Sequence, residues 1–536
     1  MSLATLFERT AARYADQIAV IDGDRRLTFA DLYAVAAAAA AELVELGVRP
    51  GEIVAYQLPN WWEAVVVFLA AIRAGATVNP LLPIFRETEL RFTLRQSGAS
   101  VLFMPGIYRG CDHPALIASL RADLPSLRHV FVVRDTPSAS CASFRSLPSG
   151  RPTTPDAQRP TSDEPAGQIA ADAIALLMYT SGTTAAPKGV LHTHNSLAAE
   201  VMSLARVHRL TSRDRTLMPS PLTHISGVIH AILAPALLGT SAVLMERWQA
   251  EEAVRLIASE RVTYMVGAPT FLQDIVAQLG PHPRSPSPTR EEENTATFDV
   301  SSLRLFSCGG ASVSPSLVQQ ARALLPGCVT KRVYGSTEFP TLTTTSAADA
   351  VARGVDSEGR AIAPAEVRIV DPDGRTLAYG HEGEVQGRGP ECFAGYLDAT
   401  LNADSFSADG WFRSGDLGVL DAEGYLQITG RLKDIVIRKG EKISVKEVED
   451  AVAAHPAVVE VVVVALPDPL SGERACAVVR LRGGARLDLA GLQEFLSARQ
   501  LAKQKWPEEL RIVDQFPRTE SGKIVRTRVK EQLGGA

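Results

Sequence analysis

Between residues 28 and 133, segments with helix periodicity and segments with strand composition take turns. The run "TFADLYAVAAAAAAELVELG" (28 to 47) has helix composition and stops at Gly47, "EIVAYQLPN" suits a buried strand, and "WWEAVVVFLAAIRAGA" suits a second helix. The β-rich runs "VLFMP" and "HVFVVRD" continue the rhythm. Strands separated by helices cannot close as tight hairpins, so this order predicts a parallel or mixed sheet with helices on its faces.

At 536 residues the chain has room for one large domain and one or two small ones. Its 46% hydrophobic and 21% charged residues are those of an ordinary globular protein. A net charge of -5 leaves no footprint for nucleic acid or an anionic membrane surface, so small-molecule chemistry is the expectation. Cys111, Cys141, Cys308, Cys328, Cys392 and Cys476 form no CxxC pair and have no His at metal-ligand spacing. They read as reduced structural thiols in a cytoplasmic protein. The N-terminal "MSLATLFERTAARYADQIAV" meets Glu8 and Arg9 before any long apolar run, unlike a secretory signal. The run "VVEVVVVALP" is too short to span a bilayer, and "LGGA" carries no lipidation signal.

Two stretches, 145 to 167 and 280 to 299, are rich in Pro, Ser, Thr and charge and read as exposed loops. Beyond about residue 360 short β-runs dominate, with Asp373-Gly374 and Glu423-Gly424 placed where hairpins would turn. From "KDIVIRKGEKIS" onward a compact unit follows: "VKEVEDAVAAHP" and "DLAGLQEFLSARQL" suit helices, "VVEVVVVALPD" and "RACAVVRLRGG" strands. The natural boundary falls at Arg431 to Lys433, and no internal repeat is present.

The stretch "MYTSGTTAAPKGVLHTH" (Met178 to His194) supplies glycine, small hydroxyls and a lysine. Such residues let backbone N–H groups converge on an anion while the lysine supplies charge. Walker A spacing is not met, because Pro187 precedes Lys188 and Gly189 follows it. Instead "YTSGTTAAPKG" resembles the signature of the adenylate-forming superfamily of acyl-CoA synthetases, luciferases and peptide-synthetase adenylation domains. Four further matches follow in the family's order: "VYGSTE" (333 to 338), "GWFRSGDLG" (410 to 418), "GRLKDIVIRKGEKIS" (430 to 444) and "PRTESGKIVR" (517 to 526).

The resemblance implies an α/β fold: a large N-terminal domain (1–431) of two helix-flanked sheets plus a β-rich lobe, and a small mobile α+β C-terminal domain (432–536). It implies an enzyme that activates a carboxylate with ATP and Mg2+ as acyl-AMP, releases pyrophosphate and transfers the acyl group to coenzyme A. By resemblance, Thr180, Ser181, Gly182, Thr183, Thr184 and Lys188 fold over the β- and γ-phosphates. Thr337 reaches the α-phosphate, Glu338 holds magnesium, and Gly335 and Ser336 belong to the same nucleotide motif. Gly310, Ala311 and Ser312 with Tyr334 form the adenine slot, while Asp416 and Arg431 serve the ribose and phosphate. Lys523 bridges the substrate carboxylate and α-phosphate, Lys433 is the pivot of the C-terminal domain, and Gly440 lines the thiol path. Homodimers are common among relatives, so a dimer is implied as well.

The segment "PLTHISGVIHAILAPALLG" (221 to 239) resembles the family's acyl-pocket wall, with His224 as gate. Between Pro221 and Met245 it has no acidic residue to meet an ammonium, which favours a non-amino acid: medium-chain, alicyclic or aryl. Val266, Gly267, Phe339 and Pro340 are further wall candidates. The N-terminal "QLPNWWEAVVVFLAAIRAGATVNPLLPIFRETEL" looks most like the cyclohexanecarboxylate and medium-chain acyl-CoA ligase branch. Two residues depart from the pattern. Ala185 stands where glycine is usual, costing about 1–2 kcal/mol if that position is left-handed, and Lys442 replaces a common asparagine. These departures keep two alternatives open: transfer of the activated acid, or another oxyacid such as nitrite, to a carrier-protein thiol or an amine, and a non-catalytic nucleotide-binding descendant. Retention of Lys188, Glu338, Asp416 and Lys523 argues against the second.

Overall fold

The computed structural model describes residues 1–136, 141–144, 169–180, 187–280, 298–438, 441–468, 471–519 and 522–534. The stretches 145 to 167 and 280 to 299 therefore lie outside the described residues, apart from Gly280, Phe298 and Asp299. The alternation read from the sequence appears as helix Phe29–Glu45, strand Ile53–Tyr56, helix Trp62–Arg73, strand Thr77–Pro80, strand Val101–Pro105 and strand His129–Val133. Thr28 and Asp31 close a reciprocal capping box at the start of the first of these helices, satisfying N–H groups that would otherwise lack partners.

Two sheets carry the N-terminal region. A seven-stranded sheet runs parallel through His129–Val133, Val101–Pro105, Ile53–Tyr56, Thr77–Pro80 and Ile174–Thr180. It then turns antiparallel through Lys188–Thr193 and Gly395–Tyr396. A nine-stranded sheet is parallel from Ile18–Asp22 through Ser241–Leu244, Arg215–Met218, Tyr264–Gly267 and Leu305–Gly309 to Val329–Tyr334. Helix Trp62–Arg73 is buried from Trp62 to Ile72 and apolar from Ala64 to Ile72, as a helix between two sheets must be, with buried Glu63 in its first turn paired to Arg134 at 2.8 Å. It shares one core with Val54, Tyr56 and Val78 of the first sheet and Val20, Met218 and Leu244 of the second.

One buried amide makes four hydrogen bonds that help tie the two sheets together. Asn60, just beyond strand Ile53–Tyr56, places its Nδ2 3.2, 2.9 and 3.0 Å from the carbonyls of Met218, Ser220 and Met245. Its Oδ1 accepts from the Leu222 amide at 2.7 Å. Tyr56 adds a bond from its hydroxyl to the Leu222 carbonyl at 2.9 Å. These bonds add side-chain partners to backbone groups at the ends of strands Arg215–Met218 and Ser241–Leu244, where the strand ladder runs out.

The β-rich lobe is an antiparallel sheet of Glu366–Val370, Gly383–Arg388, Phe412–Leu420 and Leu426–Arg431. Glu423-Gly424 turns its last hairpin with Gly424 at φ 81, and Asp373-Gly374 sits in the turn closed by the Asp371 amide on the Arg375 carbonyl. The next sheet begins at Ile435 and comprises Glu441–Ser444, Ile435–Arg438, Gly472–Leu481, Val458–Asp468 and Glu509–Ile512. Helices Val445–Ala453 and Leu489–Ala498 share its core. Among the described residues no helix is long and apolar enough to cross a membrane.

Replacing Asn60 with Ala removes side-chain partners from several buried backbone groups, each costing about 1–3 kcal/mol where left unsatisfied. Asn60→Ala should therefore lower stability by about 2–4 kcal/mol, read as a fall in the denaturant midpoint. Asn60→Asp, which keeps the acceptor for Leu222 but loses the donor, should fare no better.

Candidate active site

Strands Ile174–Thr180 and Lys188–Thr193 pair antiparallel with Thr180 opposite Lys188, so the two ends of the glycine and hydroxyl loop are brought side by side. Ser181, Gly182, Thr183, Thr184 and Ala185 lie outside the described residues. Lys188 Nζ sits 4.9 Å from the centre of the Tyr396 ring, and the Tyr396 hydroxyl donates to Glu338 Oε1 at 2.7 Å. Tyr396 thus links the loop lysine to the glutamate of "YGSTE". It lies in "CFAGYLD", of which Gly395–Tyr396 forms the strand beside Lys188–Thr193.

The "YGSTE" segment leaves strand Val329–Tyr334 as a tight turn. The Ser336 amide donates to the Phe339 carbonyl at 2.9 Å, the Phe339 amide donates to Ser336 Oγ at 3.2 Å, and Leu342 bonds back to Tyr334. Gly335 is required by close approach, since a Cβ there would stand 2.2 Å from the Pro340 carbonyl oxygen. Buried His192 supports the turn from behind, with Nε2 2.8 Å from the Thr337 carbonyl and Nδ1 3.1 Å from Ser196 Oγ. Burial pulls its pKa down to about 4, so the ring is neutral and donates its Nε2 proton to the carbonyl.

Asp416, on strand Phe412–Leu420, accepts from the Tyr334 hydroxyl at 2.7 Å and from Arg431 Nε at 2.6 Å. Arg431 lies opposite it in the hairpin register. Gly310, Ala311 and Ser312 form an exposed strip after strand Leu305–Gly309, and Ser312 Oγ reaches Asp450 of the C-terminal unit at 3.4 Å. Lys433 is exposed in the short connection between the last two sheets, away from the cavity. Gly440 and the Lys442 side chain lie outside the described residues.

Lys523 is delivered into this cleft from the C-terminal unit. Its backbone is held by Thr519, and its side chain passes over Gly310, where a Cβ would come within 3.1 Å of Lys523 Cε. Desolvation and the nearby Arg431 charge lower its pKa, while Glu338 and Asp416 oppose the shift. Four motifs far apart in sequence therefore converge on one ammonium. His224 lies close by, its pKa pushed down to about 3 by burial and by Lys523, and its Nδ1 is 3.0 Å from Ser226 Oγ.

Behind Lys523 opens a cavity of about 790 Å³ with its mouth included. His224, Ile225, Ile229, Val266, Gly267 and Pro340 line it, as the sequence reading expected for His224, Val266, Gly267 and Pro340. Phe339 does not: it packs with Val190, Leu342 and Tyr396 in the core of the β-rich lobe. Its backbone bonds to Ser336 and Leu342's bond to Tyr334 turn the side chain away from the cavity.

The sequence reading missed the far lining. Glu200, Leu204 and His208 lie four residues apart on helix His194–His208 and form one stripe along the cavity, joined by His230 and Ser307. Glu200 is 1% exposed and its two carboxyl oxygens make no hydrogen bond among the described residues. Thr341 approaches it without a bond that closes geometrically, and burial with Glu391 nearby pushes its pKa up to about 8. His208 Nδ1 is 3.0 Å from Lys331 Nζ, and its pKa lies well below the ordinary value through burial and the Lys331 charge. His230 is brought down to about 4 by burial and sits on a π-helical turn, Val228–Leu233, a geometry that recurs at functional sites.

The fold and this constellation define a nucleotide-dependent enzyme, and comparison with known proteins agrees. The profile of the AMP-binding enzyme family matches residues 7–397, and that of the AMP-binding enzyme C-terminal domain matches residues 447–523. The chain belongs to the AMP-binding enzyme family. It is 34% identical to the medium-chain fatty-acid–CoA ligase of Escherichia coli K12 over 536 residues, covering 99% of this chain and 90% of that protein. It superposes on the anthranilate CoA ligase AuaEII in complex with anthranoyl-AMP with TM-score 0.85 at 25% identity, over 100% of this chain and 98% of that one. The amide bond synthetase McbA from Marinactinospora thermotolerans gives TM-score 0.83 at 28% identity, with 99% of each chain covered.

Gly335→Ala forces the Phe339 and Pro340 carbonyls apart at the edge of the site and should shift Thr337 and Glu338. ATP affinity measured by calorimetry should fall about tenfold or more, equivalent to about 1.4 kcal/mol. Unchanged affinity would show that this turn does not shape the nucleotide site.

Proposed function

We propose that the chain is an AMP-forming acid–thiol ligase that joins a medium-chain, alicyclic or aryl carboxylic acid to the α-phosphate of ATP, releases pyrophosphate, and passes the acyl group from AMP to coenzyme A. The observation that carries this reading is the seat of Lys523, at the mouth of a cavity whose apolar wall includes Ile225, Ile229 and Val266 and within the field of Glu338, Asp416 and Arg431.

At that place the ammonium neutralises the repulsion between an incoming carboxylate and the α-phosphate, and stabilises charge as the carboxylate oxygen attacks phosphorus and pyrophosphate leaves. Thr337 is held toward the α-phosphate by His192, and the loop from Thr180 to Lys188 encloses the leaving phosphates. Asp416 is already bonded to Tyr334 and Arg431, yet a carboxylate offers about four lone-pair positions, leaving capacity for both ribose hydroxyls. Gly310, Ala311 and Ser312 present a surface poor in side chains against which adenine lies. Neutral His224 closes the carboxylate end of the acyl cavity without adding a competing charge.

Glu338 suits magnesium, which takes one or two carboxylates alongside phosphate and water. Its Oε1 is oriented by Tyr396, and among the described residues there is no three-carboxylate cage that would suggest another metal. When bound, magnesium supplies charge neutralisation at the phosphates.

The interruption between the sheets ending at Arg431 and starting at Ile435, with Lys433 exposed within it, supports division into an N-terminal domain, 1–431, and a C-terminal domain, 432–536. Rotation about Lys433 would withdraw Lys523 after adenylation and bring Gly440 to the thiol path. Lys442, in place of the usual asparagine beside that path, favours as second reading an amine or carrier-protein thiol as acceptor. Six scattered cysteines with no CxxC pair suit a reducing compartment, and we place the enzyme in the cytoplasm.

Pyrophosphate release and product mass, measured over a panel of acids with and without coenzyme A, test the reading. Acyl-CoA from one acid class is the expected result; acyl-AMP without thioester would shift the acceptor, and no pyrophosphate from any acid would refute it. Lys523→Ala should lower adenylation about 10²–10³-fold while thioester formation from supplied acyl-AMP survives.

Protonated Lys523 is the active form and its pKa is lowered in the folded enzyme. Adenylation should therefore fall as pH rises through that lowered value, earlier than an exposed lysine would dictate. Lys523→Arg should retain its residual rate to higher pH. An alkaline limb identical in the two proteins would assign it to another group.

A further inference from the structure

Four buried polar side chains close the part of the cavity lined by helix His194–His208, and their unmade bonds distinguish that end from a hydrocarbon pocket. Glu200 Oε1 and Oε2, His230 Nδ1 and Ser307 Oγ are all sealed from solvent and make no hydrogen bond among the described residues. Glu200, His230 and Ser307 are only 1%, 5% and 1% exposed. His208 is different: its Nδ1 lies 3.0 Å from Nζ of Lys331, which also donates to the Thr345 carbonyl. When Lys331 is protonated it donates to Nδ1, and the neutral ring then carries its proton on Nε2, making that atom a donor. This group is electrostatically separate from the reacting end: Lys523 is influenced by Arg431, Glu338 and Asp416, whereas Glu200 and His208 are influenced by Glu391, Lys331, His230 and Arg304.

Buried polar atoms without partners are rare, and a cluster of them lining one cavity calls for a ligand that supplies the partners. A plain alkyl or aryl tail would desolvate the carboxyl, the imidazoles and the serine without replacing a bond. An ammonium fits poorly, because burial favours the neutral forms of Glu200, His208 and His230, so none of them offers a fixed carboxylate to offset its desolvation, while Arg304 is already paired with Asp214. A hydroxyl or a neutral arylamine fits, since each donates to Glu200 or His230 and accepts from His208 or Ser307.

We propose that the acid activated by this enzyme carries an uncharged hydrogen-bond donor, a hydroxyl or an arylamine, at the end remote from its carboxylate, and that Glu200, His208, His230 and Ser307 read it. The inference rests on the ligase reading and narrows its substrate class. Glu200 and Ser307 act as specificity determinants; neither touches the reacting atoms.

The experiment measures kcat/KM for pyrophosphate release with matched acids on alkyl, cinnamate and benzoate skeletons. Each skeleton is tested unsubstituted, with a distal hydroxyl, with a distal arylamine where the ring allows, and with a distal ammonium. On at least one skeleton the hydroxyl or arylamine acid should exceed its unsubstituted parent by roughly 10²-fold or more, because a site built to bond a donor rejects the analogue lacking it. Which arm wins identifies the donor. Preference for the unsubstituted or ammonium acids on every skeleton overturns the inference and leaves the ligase reading standing; no pyrophosphate from any acid removes both.

Glu200→Leu should raise KM for the preferred acid and improve kcat/KM for the unsubstituted parent, a reversal that loss of folding cannot produce. Glu200→Gln should recover part of the preference. Ser307→Ala, the smallest change in the group, gives the same comparison if Glu200→Leu fails to fold, and an unaltered preference there together with Glu200→Gln would overturn the assignment of these residues.

Discussion

The bonds of Asn60 are the constraint on which the geometry of the site depends. Two sheets packed through an apolar helix can slide, because hydrophobic contact is non-directional. The Asn60 amide removes that freedom by fixing Met218, Ser220, Leu222 and Met245 against the end of strand Ile53–Tyr56. Leu222 is two residues from His224, so the same bonds set where the cavity wall begins. Strand ends of one sheet gain partners from the other, and the cavity forms where they meet.

Charge is organised in two separate groups on this frame. At the cavity mouth, Lys523 stands among Glu338, Asp416 and Arg431, each already oriented by a neutral partner such as Tyr396 or Tyr334 or by one another. Orientation in advance means that little reorganisation is needed when charge develops on the substrates. At the other end the groups are held mostly neutral: burial raises Glu200 to about 8 and lowers His230 to about 4. One end suits phosphate and carboxylate, and the other suits uncharged hydrogen bonding.

Much of this was legible in the residues. Helix and strand alternation, the Glu423-Gly424 turn and the start of the C-terminal sheet all depend on local pattern, and they appear where the pattern placed them. The motif residues Thr337, Glu338, Asp416 and Lys523 were named through the family resemblance of short segments, and packing brings Glu338, Asp416 and Lys523 close to one another. Phe339 was misjudged because adjacency to Glu338 says nothing about which way a side chain leaves a tight turn; the bonds among Ser336, Phe339 and Tyr334 decide it. Glu200 lies outside the 221 to 245 segment that resembles an acyl-pocket wall, because helix His194–His208 supplies the other wall. Its stripe of Glu200, Leu204 and His208 was available in the sequence, but an amphipathic stripe does not state what it faces.

By itself the sequence determined the class of fold and the order of its elements, which follow from interactions over a few residues such as periodicity and turn propensity. Its motifs carried the resemblance on which the nucleotide end is proposed. Only the tertiary structure decided that Lys331 approaches His208, that Tyr396 links Lys188 to Glu338, and that a carboxyl, two imidazoles and a serine share the far lining of one cavity. Lys331 with His208 and Tyr396 with Lys188 join residues more than a hundred positions apart, and packing of helices between sheets brings such groups together; no local rule encodes the pairing.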